Sequence, residues 1–429
     1  MACGARVSHI VSWLKTPGFS LRFLRIRIPP DLGLALRIVK MADSCRFIEC
    51  FEEGRPVVMM RGSRWLLCGV LAGAMPVVSA DDGADAGRSL DLGGAVRFNY
   101  GWLDYGPTSG LQTELVRVDA KGHVGPAFFS LQYRWYDGFD AIHHAYAGWR
   151  LEDGRDGGPV SDIRAGVQQV PFGLLPTASH SFWFGSGYYL GIEDDYDLGV
   201  VWQRQHGAHQ WHAGVFSGDE YGTGANFDRY SFDVATTEDL PYRERERAIV
   251  RYERSGTSGG WETAYGVSAF AGRIENRIDG RKHDHTGAAL HGQWTRGPLT
   301  LQAQWARYRY DNPESRIAMS AFMFPFEIAS QADVPTFNVA WDVQRTGWFD
   351  SITCYNNASA TLPVGGDPGL RDSIQNVTGC SFGKGVMLTY VDWIAGKNMW
   401  FAGGPGIGVR DPANDGWHSR LNVNIGFYF

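Results

Sequence analysis

Residues 421–429 read Leu-Asn-Val-Asn-Ile-Gly-Phe-Tyr-Phe, with Leu421, Val423, Ile425, Phe427 and Phe429 on one parity and Asn422, Asn424, Gly426 and Tyr428 on the other. Residues 129–136 repeat the pattern: Phe129, Leu131, Tyr133 and Trp135 alternate with Ser130, Gln132 and Arg134. Side chains on a strand point alternately to its two faces, so each segment is a strand with one apolar and one polar face. Such strands have two uses. In a soluble sandwich the apolar face meets a core. In a transmembrane barrel it meets lipid, and the polar face lines water.

Sixteen segments of this kind recur between 89–104 and 418–429, an even number, so the last can close on the first. Their connections alternate in length. Short links fall at 121–126, 205–209, 255–260, 296–298, 345–348 and 383–385, and longer ones at about 172–193, 219–244, 311–334, 359–372 and 397–417. Tight turns on one rim and long loops on the other are the asymmetry of membrane barrels. No apolar run past residue 80 is long enough for a spanning helix. Mean hydropathy is only −0.24 although 14% of residues are aromatic, because every second strand residue is polar. The predicted fold class is all-β: a transmembrane antiparallel β-barrel of 16 strands.

Ahead of the strands, Met60-Arg-Gly-Ser-Arg64 is basic, Trp65 to Ala74 is apolar, and Val78-Ser79-Ala80 supplies small residues before Asp81. This pattern predicts an export signal over 60–80, cleaved after Ala80. Residues 1–59 then read as an upstream extension, untranslated or disordered, and 81–429 as the barrel. A start at Met59 and an organellar targeting helix over 21–27 are the alternatives. Residues 1–80 hold 11 of the 40 Lys and Arg and 5 of the 46 Asp and Glu, so 29 basic and 41 acidic groups remain. A net negative chain is a poor nucleic-acid binder. Of the six cysteines only Cys354 and Cys380 survive processing. They flank the turn-rich segment 364–369 symmetrically, which predicts a cross-strand disulfide in an oxidising compartment, with two free buried thiols as the alternative.

Parity assigns facing. Apolar neighbours point outward, so Arg97, Arg117, Arg134, Arg150 and Arg164 point into the lumen from five consecutive strands, and Arg251 joins them from the eighth. These arginines form a basic wall that steers solutes, or else pair with lumenal acids. The long connection 172–193 carries Phe182, Trp183, Phe184, Tyr188 and Tyr189, followed by Glu193, Asp194 and Asp195. Aromatics are costly to leave in water. The loop is therefore expected to fold inward as a constriction, with Glu193, Asp194, Asp195 and Asp197 across from the arginines; packing on a neighbouring subunit is the alternative. Charged rings and pore width would then set selectivity.

The signal, the strand pattern, the terminal aromatic strand and Arg164-Ala-Gly-Val-Gln-Gln-Val-Pro-Phe-Gly-Leu-Leu-Pro176 together resemble the phosphate-selective porin O/P family of Gram-negative outer membranes. The resemblance covers most of residues 90–429. It implies a homotrimeric sixteen-stranded channel in the bacterial outer membrane, set among lipid and lipopolysaccharide, passing small hydrophilic solutes or anions such as phosphate. It also implies a lysine cluster, whereas Lys121, Lys282, Lys384 and Lys397 are scattered here. A carbohydrate-type or general porin is the sibling reading. A non-conducting barrel, an enzyme or an adhesin acting through loops 219–244 and 311–334, is the reading from another class. No catalytic spacing, cofactor or metal is expected. His143-His144 are adjacent, so only one ring is expected in the lumen, and His283-x-His285 makes a weak metal pattern.

Overall fold

The computed structural model describes residues 87–221, 227–412 and 416–429 in full, and the backbone of 11–12, 23–26, 34–40, 46–52 and 55–59. The last five segments belong to a separate unit, residues 1–78, and form an antiparallel meander of five strands. The stretch read as a targeting helix runs as a strand at Phe23–Ile26. The expected export signal lies outside the described residues.

Sixteen strands form one closed barrel: β1 (Arg88–Leu103), β2 (Gly110–Val124), β3 (Ala127–Tyr136), β4 (Asp140–Asp153), β5 (Val160–Gln169), β6 (Tyr196–His206), β7 (His209–Phe216), β8 (Tyr242–Ser258), β9 (Trp261–Asn276), β10 (Lys282–Arg296), β11 (Leu299–Tyr310), β12 (Gln331–Asp342), β13 (Ser351–Pro363), β14 (Ser373–Lys384), β15 (Met387–Lys397) and β16 (Trp417–Tyr428). Each strand pairs antiparallel with its neighbours in sequence, and β16 closes on β1 with Val423 opposite Tyr100. Full closure leaves no unpaired edge, which a hydrocarbon environment would not tolerate. Five of the six expected short links are two-residue turns, whereas the one expected at 345–348 spans 343–350 between β12 and β13. At the β8–β9 turn Gly259 and Gly260 both have positive φ, the conformation a two-residue hairpin needs.

The side-chain distribution is inverted relative to a soluble protein. Leu92, Leu290, Trp149, Trp305, Phe337 and Trp341 are each at least half exposed on the outer face. Asn338, Asp392, Asn422 and Asn424 are fully buried within. The parity reading holds along β3, where Phe129 and Leu131 are exposed and Gln132 and Arg134 buried.

Two kinds of irregularity were not legible. First, β-bulges shift parity locally. The β3–β4 register slips between Gln132 and Tyr133, leaving His143 without a partner of its own. Both His143 and His144 then turn inward, with their Nδ1 atoms 2.9 Å apart, which corrects the expectation that only one ring would do so. Second, the long connections are not free external loops. Asp233–Val234, Arg316–Ala321, Phe324–Ala329 and Gly406–Ile407 build a second, four-stranded sheet. Its Ile317, Met319, Ile328 and Ile407 share one hydrophobic cluster with Phe216, Phe270, Tyr308 and Ile394 of the inner wall. The described parts of 219–244 and 311–334, the loops through which the rival adhesin reading would act, are packed filling at the long-loop end.

Candidate functional site: the inner wall and its lumenal segments

The inner wall carries the predicted arginines, and most have acid partners. The β1–β2 register slips between Arg97 and Phe98, which turns both Glu114 and Leu115 inward. Arg97 Nη2 donates to Glu114 Oε1 at 2.6 Å. Arg117 pairs with Asp119 at 2.9 Å, Arg164 with Asp162 at 2.8 Å, and Arg251 with Glu253 at 2.6 Å. These three are i,i+2 pairs, because residues two apart share one face of a strand. Arg134 is buried, donates to Gln132 Oε1 at 2.6 Å, and lies 4.4 Å from the Tyr230 ring. Arg150 is exposed. Each close pair acts at a distance as a dipole rather than a charge. The wall is largely a ladder of ion pairs, which matches the alternative of pairing with lumenal acids rather than an unpaired basic wall.

Residues 170–195 fold inward and follow the wall. Gly173 N donates to Ser268 Oγ of β9 at 2.8 Å, and Leu174 N to Gln304 Oε1 of β11 at 2.7 Å. Asn338 Nδ2 of β12 donates to Ala178 O at 2.6 Å, and Gln375 Nε2 of β14 to Phe184 O at 2.9 Å. Ser186 N reaches Ser359 Oγ of β13 at 2.9 Å. Polar wall residues thus satisfy the backbone of a segment that would otherwise be buried unpaired. Tyr188 and Tyr189 are buried against Phe232. Phe182 lies 5.9 Å from Tyr390 and 5.2 Å from the Arg97 guanidinium. Arg420 of β16 stands 3.9 Å over Trp183. The parity rule already placed Arg420 inward beside Asn422, though it was not singled out. With these anchors on its own wall, the loop is not an arm that requires a neighbouring subunit.

The acids after the loop do not face water across from the arginines. Glu193 accepts from Gln304 Nε2 at 2.8 Å, and burial pushes its carboxyl up to about 7, so at neutral pH it is not a fixed charge. Asp194 accepts from Tyr230 Oη at 2.5 Å, and burial raises it to about 6. Asp195 and Asp197 are both held by Arg247 Nη2, the former at 2.6 Å. The transverse field expected from these acids is therefore replaced by a buried network. Arg247 was legible, because it shares parity with Arg251. Arg229, from the 217–241 connection, was not: it donates to Asp219 Oδ2 at 3.1 Å and to the carbonyls of Asp233, Val234 and Ser320.

Cys354 and Cys380 stand directly opposite on β13 and β14 and are joined by a disulfide. His285 is buried, stacked on Tyr310 at 3.9 Å, while His283 is turned to Asp311 O. The two histidines do not converge.

No protein-family model matches the sequence, and no curated protein matches it. Solved structures do. Outer-membrane expressed OmpT of Vibrio cholerae is 13% identical, with a TM-score of 0.52, over 81% of this chain and 99% of that one. OprB of Pseudomonas putida is 12% identical, with a TM-score of 0.53, over 80% and 95%. An anion-selective porin from Comamonas acidovorans is 12% identical, with a TM-score of 0.50, over 80% and 100%. The likeness is one of fold: residues 87–429 form a sixteen-stranded barrel like those of outer-membrane porins.

Proposed function

We propose that this chain is an outer-membrane porin, a water-filled channel through which small hydrophilic solutes diffuse passively. The observation that carries the reading is the closed sixteen-strand ring with exposed apolar side chains outside and polar ones within. A ring of this size encloses more space than its own side chains fill. The lumenal segments narrow that space, so passage is set first by width at Phe182 and Trp183. Because Arg97, Arg117, Arg164 and Arg251 have carboxylate partners, charge preference is weak, and a general porin is favoured over a phosphate-selective one. Anion preference, as named for the Comamonas acidovorans porin, would rest here on Arg134.

Export through residues 60–80, homotrimer assembly and contact with lipopolysaccharide belong to the same reading. The hydrophobic cluster among the lumenal segments favours one rival, a barrel too tightly filled to conduct.

Planar-bilayer recording of the detergent-purified protein separates the two. Steady ohmic steps with a small reversal potential in a salt gradient are expected. A silent, well-folded barrel would move the chain to the non-conducting class.

A further inference from the structure

Asp195, Asp197 and Asp233 converge beneath the long loops. Each offers a carboxylate oxygen within 4.8 Å of the others. Asp195 and Asp197 are two apart and reach the same side at the start of β6. Asp233 comes from the 217–241 connection and pairs across strands with Ser320 of the 316–329 hairpin. All are almost fully buried.

Their environment is over-supplied with negative charge. Asp219, Glu220 and Glu244 are buried beside them, making six carboxylates, while Arg229 and Arg247 are the two arginines buried among them. Arg247 occupies one oxygen of Asp195 and one of Asp197. Asp195 Oδ1, Asp197 Oδ1 and Asp233 Oδ2 take no hydrogen bond, nor does Glu220 Oε2, although Arg229 Nη1 stands 3.9 Å from Asp233 Oδ2. A separate observation points the same way. Ser320 Oγ is wholly buried and unpartnered, and directly paired cross-strand residues present their side chains on one face, so this hydroxyl lies on the same face as the Asp233 carboxylate. Buried carboxylates in excess are costly unless something positive joins them.

We propose that Asp195, Asp197 and Asp233, with the Ser320 hydroxyl, hold a divalent cation of calcium size that ties the lumenal segments to the barrel wall. The donors are all oxygen, the choice of a hard cation, and calcium accepts six to eight of them in irregular geometry, whereas magnesium demands a near-ideal octahedron. Glu220 Oε2 is a further donor within the same acidic set. One such ion would offset two of the four formal negative charges in excess of the arginines. It also joins three segments distant in sequence: the end of the inward loop, the 217–241 connection and the 316–329 hairpin. The site does not depend on whether the barrel conducts.

The test uses the full folded barrel in detergent, stripped with a chelator and dialysed. Calcium chloride is titrated in by calorimetry, and thermal unfolding is followed with calcium or with sodium chloride at matched ionic strength. Saturable binding near one ion per chain and a calcium-dependent rise in Tm of several degrees are expected. Asp233→Asn should weaken calcium at least tenfold and Ser320→Ala a few-fold. Neither residue lies on a barrel strand, so the barrel should still form. Asp279→Asn, on an exposed turn, should bind as the parent does. Absence of calcium-dependent heat and Tm shift in the parent overturns the proposal, as does unchanged affinity in Asp233→Asn. If protons alone neutralise the cluster, calcium will have no effect, and that result also overturns it.

Discussion

Two sets of arginine–carboxylate pairs in this barrel use the same chemistry in opposite surroundings. On the inner wall, Arg117–Asp119 and Arg164–Asp162 join residues two apart on one strand and keep a fifth to a quarter of the arginine side chain exposed. Beneath the long loops, Arg247 and Arg229 are almost wholly enclosed with Asp195, Asp197, Asp219 and Asp233. Exposed pairs contribute little to stability because water competes for both ions. Enclosed pairs are poor stabilisers relative to apolar packing, yet breaking one leaves a buried charge uncompensated. The wall pairs therefore shape the field along the lumen, and the enclosed set decides whether the lumenal segments stay seated.

Several measurements would break or sharpen this contrast. The largest effect is expected from Arg247→Met. It strands Asp195 and Asp197, and should loosen the lumenal segments by about 3–5 kcal/mol. Limited proteolysis should then cut within 170–195 or 227–241 while the barrel stays heat-resistant. Protection equal to the parent would mean the enclosed set is not what seats them. Trp183→Ala comes next. It removes the ring under Arg420, a contact of about 1–2 kcal/mol, and should give larger, noisier single-channel currents. Unchanged conductance would place the narrowest point elsewhere.

Smaller effects belong to the wall. Arg134→Ala with Arg164→Ala should shift the reversal potential toward cations, and removal of the Arg164–Asp162 pair should alter stability by no more than about 1 kcal/mol. Adding Asp162→Ala should restore the part of the shift that comes from Arg164 and leave the part that comes from Arg134. If it does not, the pair does not act as a cancelling dipole. The smallest change is expected from Lys121→Ala. Its ammonium is 3.9 Å from Asp91 and mostly exposed, so currents and stability should stay within error of the parent.

Legibility followed the same division. Alternation at residues such as Phe129 to Trp135 and Leu421 to Phe429 located strands within a few residues, and Arg97, Arg134 and Arg164 fell on the side that parity assigned. The inward loop was legible too, because an aromatic run such as Phe182-Trp-Phe184 is costly to leave in water. What escaped were the bulge that turns His143 and His144 the same way and the sheet built from 233–234, 316–321, 324–329 and 406–407. Bulges are single-residue slips in pairing, and no residue type marks them.

A strand's facing is a local property. Period-two alternation repeats within a few residues, and the free energy of placing each side chain in lipid or water acts position by position. The sequence alone therefore determined the sixteen strands, their order, and which face turns outward. The lumenal packing is not local: Asn338 meets Ala178 at 160 positions' distance and Gln375 meets Phe184 at 191. Contacts of that range exist only after the ring has closed and enclosed the segments, so whether Arg247 faces open water or a buried acid cluster was decided by the tertiary structure.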